Sequence, residues 1–314
     1  MSREREPLIS VVVCTRDRAP QLRLALESLA TQALPADGHE VLVVDNASTD
    51  DTREVAREYE ARSAFRILTE RRIGLCHARN AGWAAARGRY VAYFDDDAVA
   101  EPGWLVAIRD GFAEYPTAGA LGGRVTPIWE REPPSWLSHQ VALGLTIVDW
   151  SSEPKLLADL KQEWLVGANL AVPRQLLEEV GGFHPGLDRV GSSLLSSGDV
   201  FLTEQIARRG YPIVYFPAMA VRHHVPASRL DQTWFRRRYY WQGVSDAMMR
   251  LLRSSLSPLA RLAIAAAMTG RLLGSPRRLR SWLLPTDDPA RFAEKCWAWI
   301  EVGHIAGLLG AGRR

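Results

Sequence analysis

Two hydrophobic rhythms alternate along the first hundred residues of this chain. Residues 8–14, LISVVVC, are an unbroken apolar run rich in β-branched side chains, the composition of a strand covered on both faces. Leu22, Leu26, Leu29 and Ala30 then recur at helical spacing and predict a helix over 20–32. EVLVVD at 40–45 is a second buried strand. Ser48 and Asp51 after it have the spacing of a capping box, opening a helix that runs to about Arg62. FRIL at 65–68 is a third strand, 75–87 an Ala-rich helix, and 89–94 a fourth strand.

Strand–helix alternation of this kind implies right-handed βαβ units, a mostly parallel sheet and helices on its faces. Ligands of such sheets bind at the carboxyl ends of the strands. The polar clusters of this sequence fall at those ends: Thr15-Arg16-Asp17-Arg18, Asp45-Asn46, and Asp95-Asp96-Asp97. Three adjacent carboxylates closing an apolar strand repel one another and call for a counter-charge. Neither GxGxxG nor GxxxxGK[ST] follows the first strand, so a Rossmann dinucleotide site and a P-loop are not indicated.

The pattern weakens from 127 to 160, where PIWEREPPSWLS reads as a loop or lid. EWLVGANLAV at 163–172 returns to strand character. A helix over 173–180 follows, with Pro173 in its permissive first turn and Gly181-Gly182 as its stop. SSGDVFLTEQIARRG at 196–210 reads as a capped helix, and YPIVYFP and MAVRHHVP as strands. After Ser228 the chain turns helical, basic and aromatic, which places a domain boundary there: 1–228 and 229–314.

Composition narrows this picture only in part. With 47% hydrophobic and 24% charged residues over 314 positions, the chain is ordinary for a globular protein. A formal charge of +3 gives no reason to expect nucleic acid. The basic residues instead concentrate beyond Arg222, which points to a surface facing something anionic. Cys14, Cys76 and Cys296 are far apart and make no CxxC pair, which argues for a reducing compartment. The opening MSREREPLIS has no apolar signal core, and no apolar run reaches bilayer length. The expectation is a cytoplasmic protein, peripheral on the inner membrane face.

The ordered pieces SVVVCTRDR, EVLVVDNASTDDT, GLCHARNAGWAAARGRYVAYFDDDAV, VGANLAVPR, EEVGGF and SSGDVFLTEQIARRGYPIVYFPAMAVRHH resemble glycosyltransferase family 2 over residues 8–228. The resemblance implies a GT-A fold, with a C-terminal helical extension after it. It implies a metal-dependent inverting transfer of one sugar from a nucleoside-diphosphate sugar to a hydroxyl acceptor: a saccharide, a lipid-linked saccharide or a small molecule. The cofactor would be Mg²⁺ or Mn²⁺, whose hard oxygen chemistry suits carboxylates and a diphosphate leaving group.

Carried over residue by residue, the resemblance puts Asp97, Asp95 and His223 on the metal, with Asp95 also near the nucleoside. It puts Asp45 on the base, Thr15, Arg16 and Asp96 in the same cleft, and Arg79 and Asn80 near the diphosphate. Trp164, Gly167 and Asn169 would face the sugar or acceptor. Asp199 would be the base that takes the acceptor proton, with Glu204 a poorer substitute. The family usually has an acid where this chain has Gly198.

Processive members carry Q-x-x-R-W and membrane helices, which this sequence lacks, so a single addition is expected. The arginines 236–238 with Tyr239, Tyr240, Trp241, Trp282, Trp297 and Trp299 could lie on anionic headgroups through 229–314, pack on the first domain, or join a second copy in a homodimer. Two other readings stay in view. A sugar-1-phosphate nucleotidyltransferase would show a Gly-rich, basic loop after the first strand, where CTRDRAPQ stands. A non-catalytic homologue that binds sugar nucleotides or glycans is supported only by Gly198.

Overall fold

Strand β1 (Ile9–Thr15) is the centre of the first half of the fold, and its seven residues are almost wholly buried, as its unbroken apolar run requires. In this computed structural model, which describes residues 6–33, 38–62, 64–189, 193–274, 282 and 285–312, β1 is followed by α1 (Ala19–Ala30), β2 (His39–Asp45), α2 (Thr52–Glu60), β3 (Phe65–Thr69), α3 (Leu75–Ala85), β4 (Tyr90–Asp95) and β5 (Ala98–Ala100). Then come α4 (Trp104–Glu114), β6 (Ala120–Gly122), β7 (Val125–Trp129), α5 (His139–Ala142), β8 (Lys155–Leu156), β9 (Asn169–Pro173), α6 (Arg174–Val180), α7 (Gly198–Ala207), β10 (Ile213–Tyr215) and β11 (Val221–Val225). Three long helices close the chain: α8 (Gln232–Arg253), α9 (Pro258–Leu273) and α10 (Pro289–Leu308).

Eight strands form one sheet in the order β3-β2-β1-β4-β9-β6-β10-β8. Its first four strands are parallel, the βαβ part that the alternation predicts. β9 then pairs antiparallel with both β4 and β6, so the far half of the sheet is mixed. A small second sheet, β5-β11-β7, packs its apolar residues into one of the two main cores. The helices cover both faces of the large sheet, one core holding Leu22, Leu26 and Trp104, the other Cys76, Leu177 and Ile206.

Some local expectations change. Ser48 does not cap α2: its hydroxyl accepts the Asp17 N–H, and the N-cap residue Asp51 makes no side-chain cap bond. The strand expected over 163–172 begins only at Asn169. α4, with Trp104, Leu105, Ile108 and Phe112 turned inward, is an element the periodicity reading passed over. The expected loop over 127–160 contains the end of β7 and short pieces: α5, a 3-10 turn at Leu143–Leu145, and β8.

The described chain divides into two units. The first takes Met1–Ile128, Thr146–Pro185 and Gly198–His224; the second takes Trp129–Leu145, Gly186–Ser197 and Val225–Arg314. The stretches 129–145 and 186–197 thus group with the C-terminal helices. Within that second unit α8 and α10 run in backbone contact: a Cβ at Gly303 would run into the Tyr240 carbonyl oxygen, and one at Gly243 into that of Ile300. No described helix is long and apolar enough to cross a membrane.

Candidate active site at the strand ends

The parallel register brings three strand ends to one rim of the first unit. Thr15 on β1 lies opposite Asp45 on β2, and Cys14 lies opposite Asp95 on β4. The loops leaving β1 and β2 are tied to each other. Asp17 Oδ1 accepts the Thr49 N–H at 2.7 Å, and the Asp17 N–H reaches Ser48 Oγ at 3.1 Å. Asp17 and Ala47 both hold left-handed backbone conformations, with φ of 53° and 59°. For alanine this is strained geometry of the kind that collects at ligand sites.

β4 ends at Asp95, and Asp96 and Asp97 form the turn into β5. β11 pairs with β5 so that His223 lies across from Ala98. That places His223 Nε2 3.1 Å from Asp97 Oδ1. Among the described residues, ligand atoms of Asp95, Asp97 and His223 come within 4.8 Å of one another. Arg18 closes the corner from the β1–α1 loop: its Nη1 donates to Asp97 Oδ2 at 2.5 Å and to Asp96 Oδ1 at 3.3 Å. Burial pushes the Asp96 carboxyl up to about 7; Arg18 pulls against that shift, while Asp97 adds to it. Asp96 and Asp97 are therefore a buried pair held by one guanidinium, and not a solvated turn.

Arg79 on α3 is 6% exposed, and its Nη2 donates to Asp95 Oδ1 at 3.1 Å. Burial alone would lower its pKa; Asp95 first and Asp199 next more than offset this, so the net shift is upward. Its guanidinium packs so closely on Gly167 that any Cβ there would collide with it. The Gly167 N–H donates to Asp199 Oδ2 at 2.7 Å, while Asp199 Oδ1 accepts from Val200 N at 2.9 Å. Asp95, Arg79, Gly167 and Asp199 thus form a continuous line from the acidic corner to the first turn of α7. At Gly198 a Cβ would sit 3.2 Å from Cys76 Sγ and 3.6 Å from Phe183, which explains a minimal residue at that buried helix start.

The other expected residues divide between the rim and the scaffold. Asp45 is buried at the rim, its Oδ1 accepting the Ser48 N–H at 3.0 Å. Thr15 is buried beside it, and Arg16 is exposed and paired with Asp17. Asn80 is taken up by the scaffold: it donates to the Phe183 carbonyl and accepts from Phe183 N and Trp83 Nε1. Asn169 is 0% exposed and accepts from Trp104 Nε1 while donating to the Arg124 and Met219 carbonyls. These bonds fasten β9 to α4 and to the Arg124 and Met219 backbone. Trp164 packs edge-on against Trp150, 5.2 Å between ring centres.

Comparison with known proteins places the same stretch in a family. Residues 10–181 match the family model described as Glycosyl transferase family 2. A glucosyl-dolichyl phosphate glucuronosyltransferase of Haloferax volcanii is 25% identical over 248 residues, 78% of this chain and 78% of that protein. Glycosyltransferase AglE of the same organism is 26% identical over 213 residues, 67% of this chain and 64% of its own length. Among solved structures, the mannosyltransferase PcManGT of Pyrobaculum calidifontis, in complex with GDP-Man and Mn²⁺, superposes with a TM-score of 0.62. It covers 97% of this chain and 88% of its own at 22% identity, a likeness of fold.

Proposed function

Because this chain belongs to glycosyltransferase family 2 and is a glycosyltransferase, we propose that it moves one sugar from a nucleoside-diphosphate sugar to an acceptor hydroxyl, with inversion and with a divalent cation. The observation that carries the reading is the buried corner at the end of β4, where two carboxylates and an imidazole converge beside two guanidinium groups. Carboxylate oxygens with one imidazole nitrogen make a donor set that fits Mg²⁺ or Mn²⁺. Asp95, Asp97 and His223 would hold the cation, which when bound supplies positive charge against the diphosphate leaving group.

The chain's own residues supply the remaining functions. Asp45 accepts a hydrogen bond from the nucleobase at the rim. Arg79 fixes Asp95 and Gly167 in place at once. Arg18 brings a second fork of donors to the phosphate side. Asp199 takes the proton of the acceptor hydroxyl, oriented by the Gly167 N–H. The name of the relative that matches over 78% of both chains, which acts on a glucosyl-dolichyl phosphate, favours a lipid-linked saccharide as acceptor.

The test is a thermal-shift screen with UDP, GDP and dTDP, each with and without Mn²⁺. A ligand that binds only the folded chain raises its midpoint. One nucleotide should stabilise the protein by several degrees only when Mn²⁺ is present; no shift with any of them would overturn the donor reading. Arg18 offers a second check. Its ion pair with Asp97 competes with any added cation, so Arg18→Gln should bind free Mn²⁺ about tenfold more tightly. In the same variant nucleoside diphosphate should bind more weakly at saturating Mn²⁺. Titration of free Mn²⁺ by electron paramagnetic resonance reads the first effect directly, and unchanged affinity would remove Arg18 from the site.

A further inference from the structure

The polarity of α9 is inverted for a helix that meets only water. Its inner side packs Ala265, with Ile264 and Met268 alongside, onto Ala247 of α8 and Leu308 of α10. Its outer side carries Leu259, Leu262 and Leu273, which are 78%, 54% and 56% exposed. At 3.6 residues per turn those leucines fall within about 60° of arc. Ala263, Ala266 and Ala267 broaden the same face, and all three are exposed. Single exposed leucines are ordinary on protein surfaces; a continuous apolar stripe along a sixteen-residue helix is not.

Charge decides what covers it. From Ala247 to Thr286 the sequence has seven arginines and no acidic residue. Arg261 and Arg271 lie on α9 about 130° and 150° round from the middle of the leucine arc, Arg250 and Arg253 end α8, and Arg277, Arg278 and Arg280 fall outside the described residues. A second copy docked through this face in a two-fold contact would bring together two basic segments that have no acid between them. Anionic headgroups meet the same arrangement with complementary charge, while the leucines enter the headgroup–acyl boundary. The aromatic cluster of α8 and α10 is less available for this role. Tyr239 is buried with its hydroxyl on the Val141 carbonyl, and Arg236 lies over the Trp299 ring.

We propose that α9 is an interfacial helix that seats this chain on an anionic lipid bilayer, leucines inward, with the basic charge of the surrounding segment drawing it to the surface. The inference stands apart from the sugar-transfer reading, because it concerns a different surface and is read without donor, cation or turnover. Full-length protein should co-sediment with vesicles of phosphatidylcholine and phosphatidylglycerol in equal parts, far less with phosphatidylcholine alone, and less again as salt is raised. Leu259→Ser with Leu262→Ser removes apolar contact at exposed positions. Unfolding midpoint should be unchanged, and half-binding should need about tenfold more lipid. Protein that stays in the supernatant with the mixed vesicles overturns the proposal, as does a double variant that binds like the parent. A lipid-free dimer in sedimentation velocity that the double variant abolishes would assign the face to a second copy and equally overturn it.

Discussion

Asp199→Asn is expected to lower turnover by about 100-fold or more while leaving donor affinity within about twofold. The expectation rests on how the carboxylate is held. One oxygen accepts the Gly167 N–H at 2.7 Å and the other the N–H of Val200. Asparagine is isosteric: its carbonyl oxygen can keep the Gly167 contact, which holds the line from Arg79 through Gly167 to α7, while its NH2 gives up only the bond from the neighbouring Val200 N–H. What the amide cannot do is take a proton from an attacking hydroxyl. A structural role would instead show as a lowered unfolding midpoint and weakened nucleotide binding. Steady-state kcat and KM, read beside the Mn²⁺-dependent thermal shift with nucleotide, separate the two. Turnover within about tenfold of the parent would place the base elsewhere. The missing acid at position 198 does not weaken the case: a side chain there would head into the space beside Cys76 and Phe183, away from the Asp199 carboxylate's contact with Gly167.

The parts of this molecule legible in sequence are those fixed by local pattern. Continuous apolar runs announced β1, β2 and β4 because strands covered on both faces tolerate no polar alternation. Their carboxyl ends marked the site because loops there open on one rim, and Asp45, Asp95, Asp97 and His223 do gather in the first unit. Long-range pairing was not legible. Arg18 stands 79 residues before Asp97, and nothing in CTRDR says that its guanidinium, rather than that of Arg16, turns to the triplet. Nor were the bonds of Asn80 and Asn169 legible: Asn80 joins α3 to the Phe183 backbone and the Trp83 ring, and Asn169 joins β9 to Trp104 and two carbonyls. Ser48 had the spacing of a cap, but the β1–α1 loop takes its hydroxyl first. In the C-terminal region, composition drew attention to Arg, Tyr and Trp, of which Arg236 and Trp282 pack on Trp299 while Trp297 stays half exposed. Only the fold exposes the leucines of α9.

Asp97→Ala is expected to abolish Mn²⁺-dependent binding of nucleotide altogether, the largest effect of any single change proposed for this chain. Among the described residues Asp97 is the one carboxylate that pairs with both His223 and Arg18, so its loss removes a donor and frees the other two sides of the corner. Asp95 and His223 would remain as two of the three donors, too few to hold the cation without the carboxylate between them. The protein itself should survive the change. Arg18 keeps Asp96 as a partner, and removing one of three crowded carboxylates relieves the repulsion that helps push Asp96 up to about 7. Folded stability without Mn²⁺ and affinity for Mn²⁺ should therefore part company: the unfolding midpoint of the metal-free variant stays near that of the parent, while titrated Mn²⁺ and nucleotide no longer raise it. Asp97→Asn, which keeps the shape and removes the charge, should behave the same way. A variant that binds Mn²⁺ and nucleotide undiminished would mean that the acidic corner serves the scaffold alone, and the cation would have to be sought at other residues.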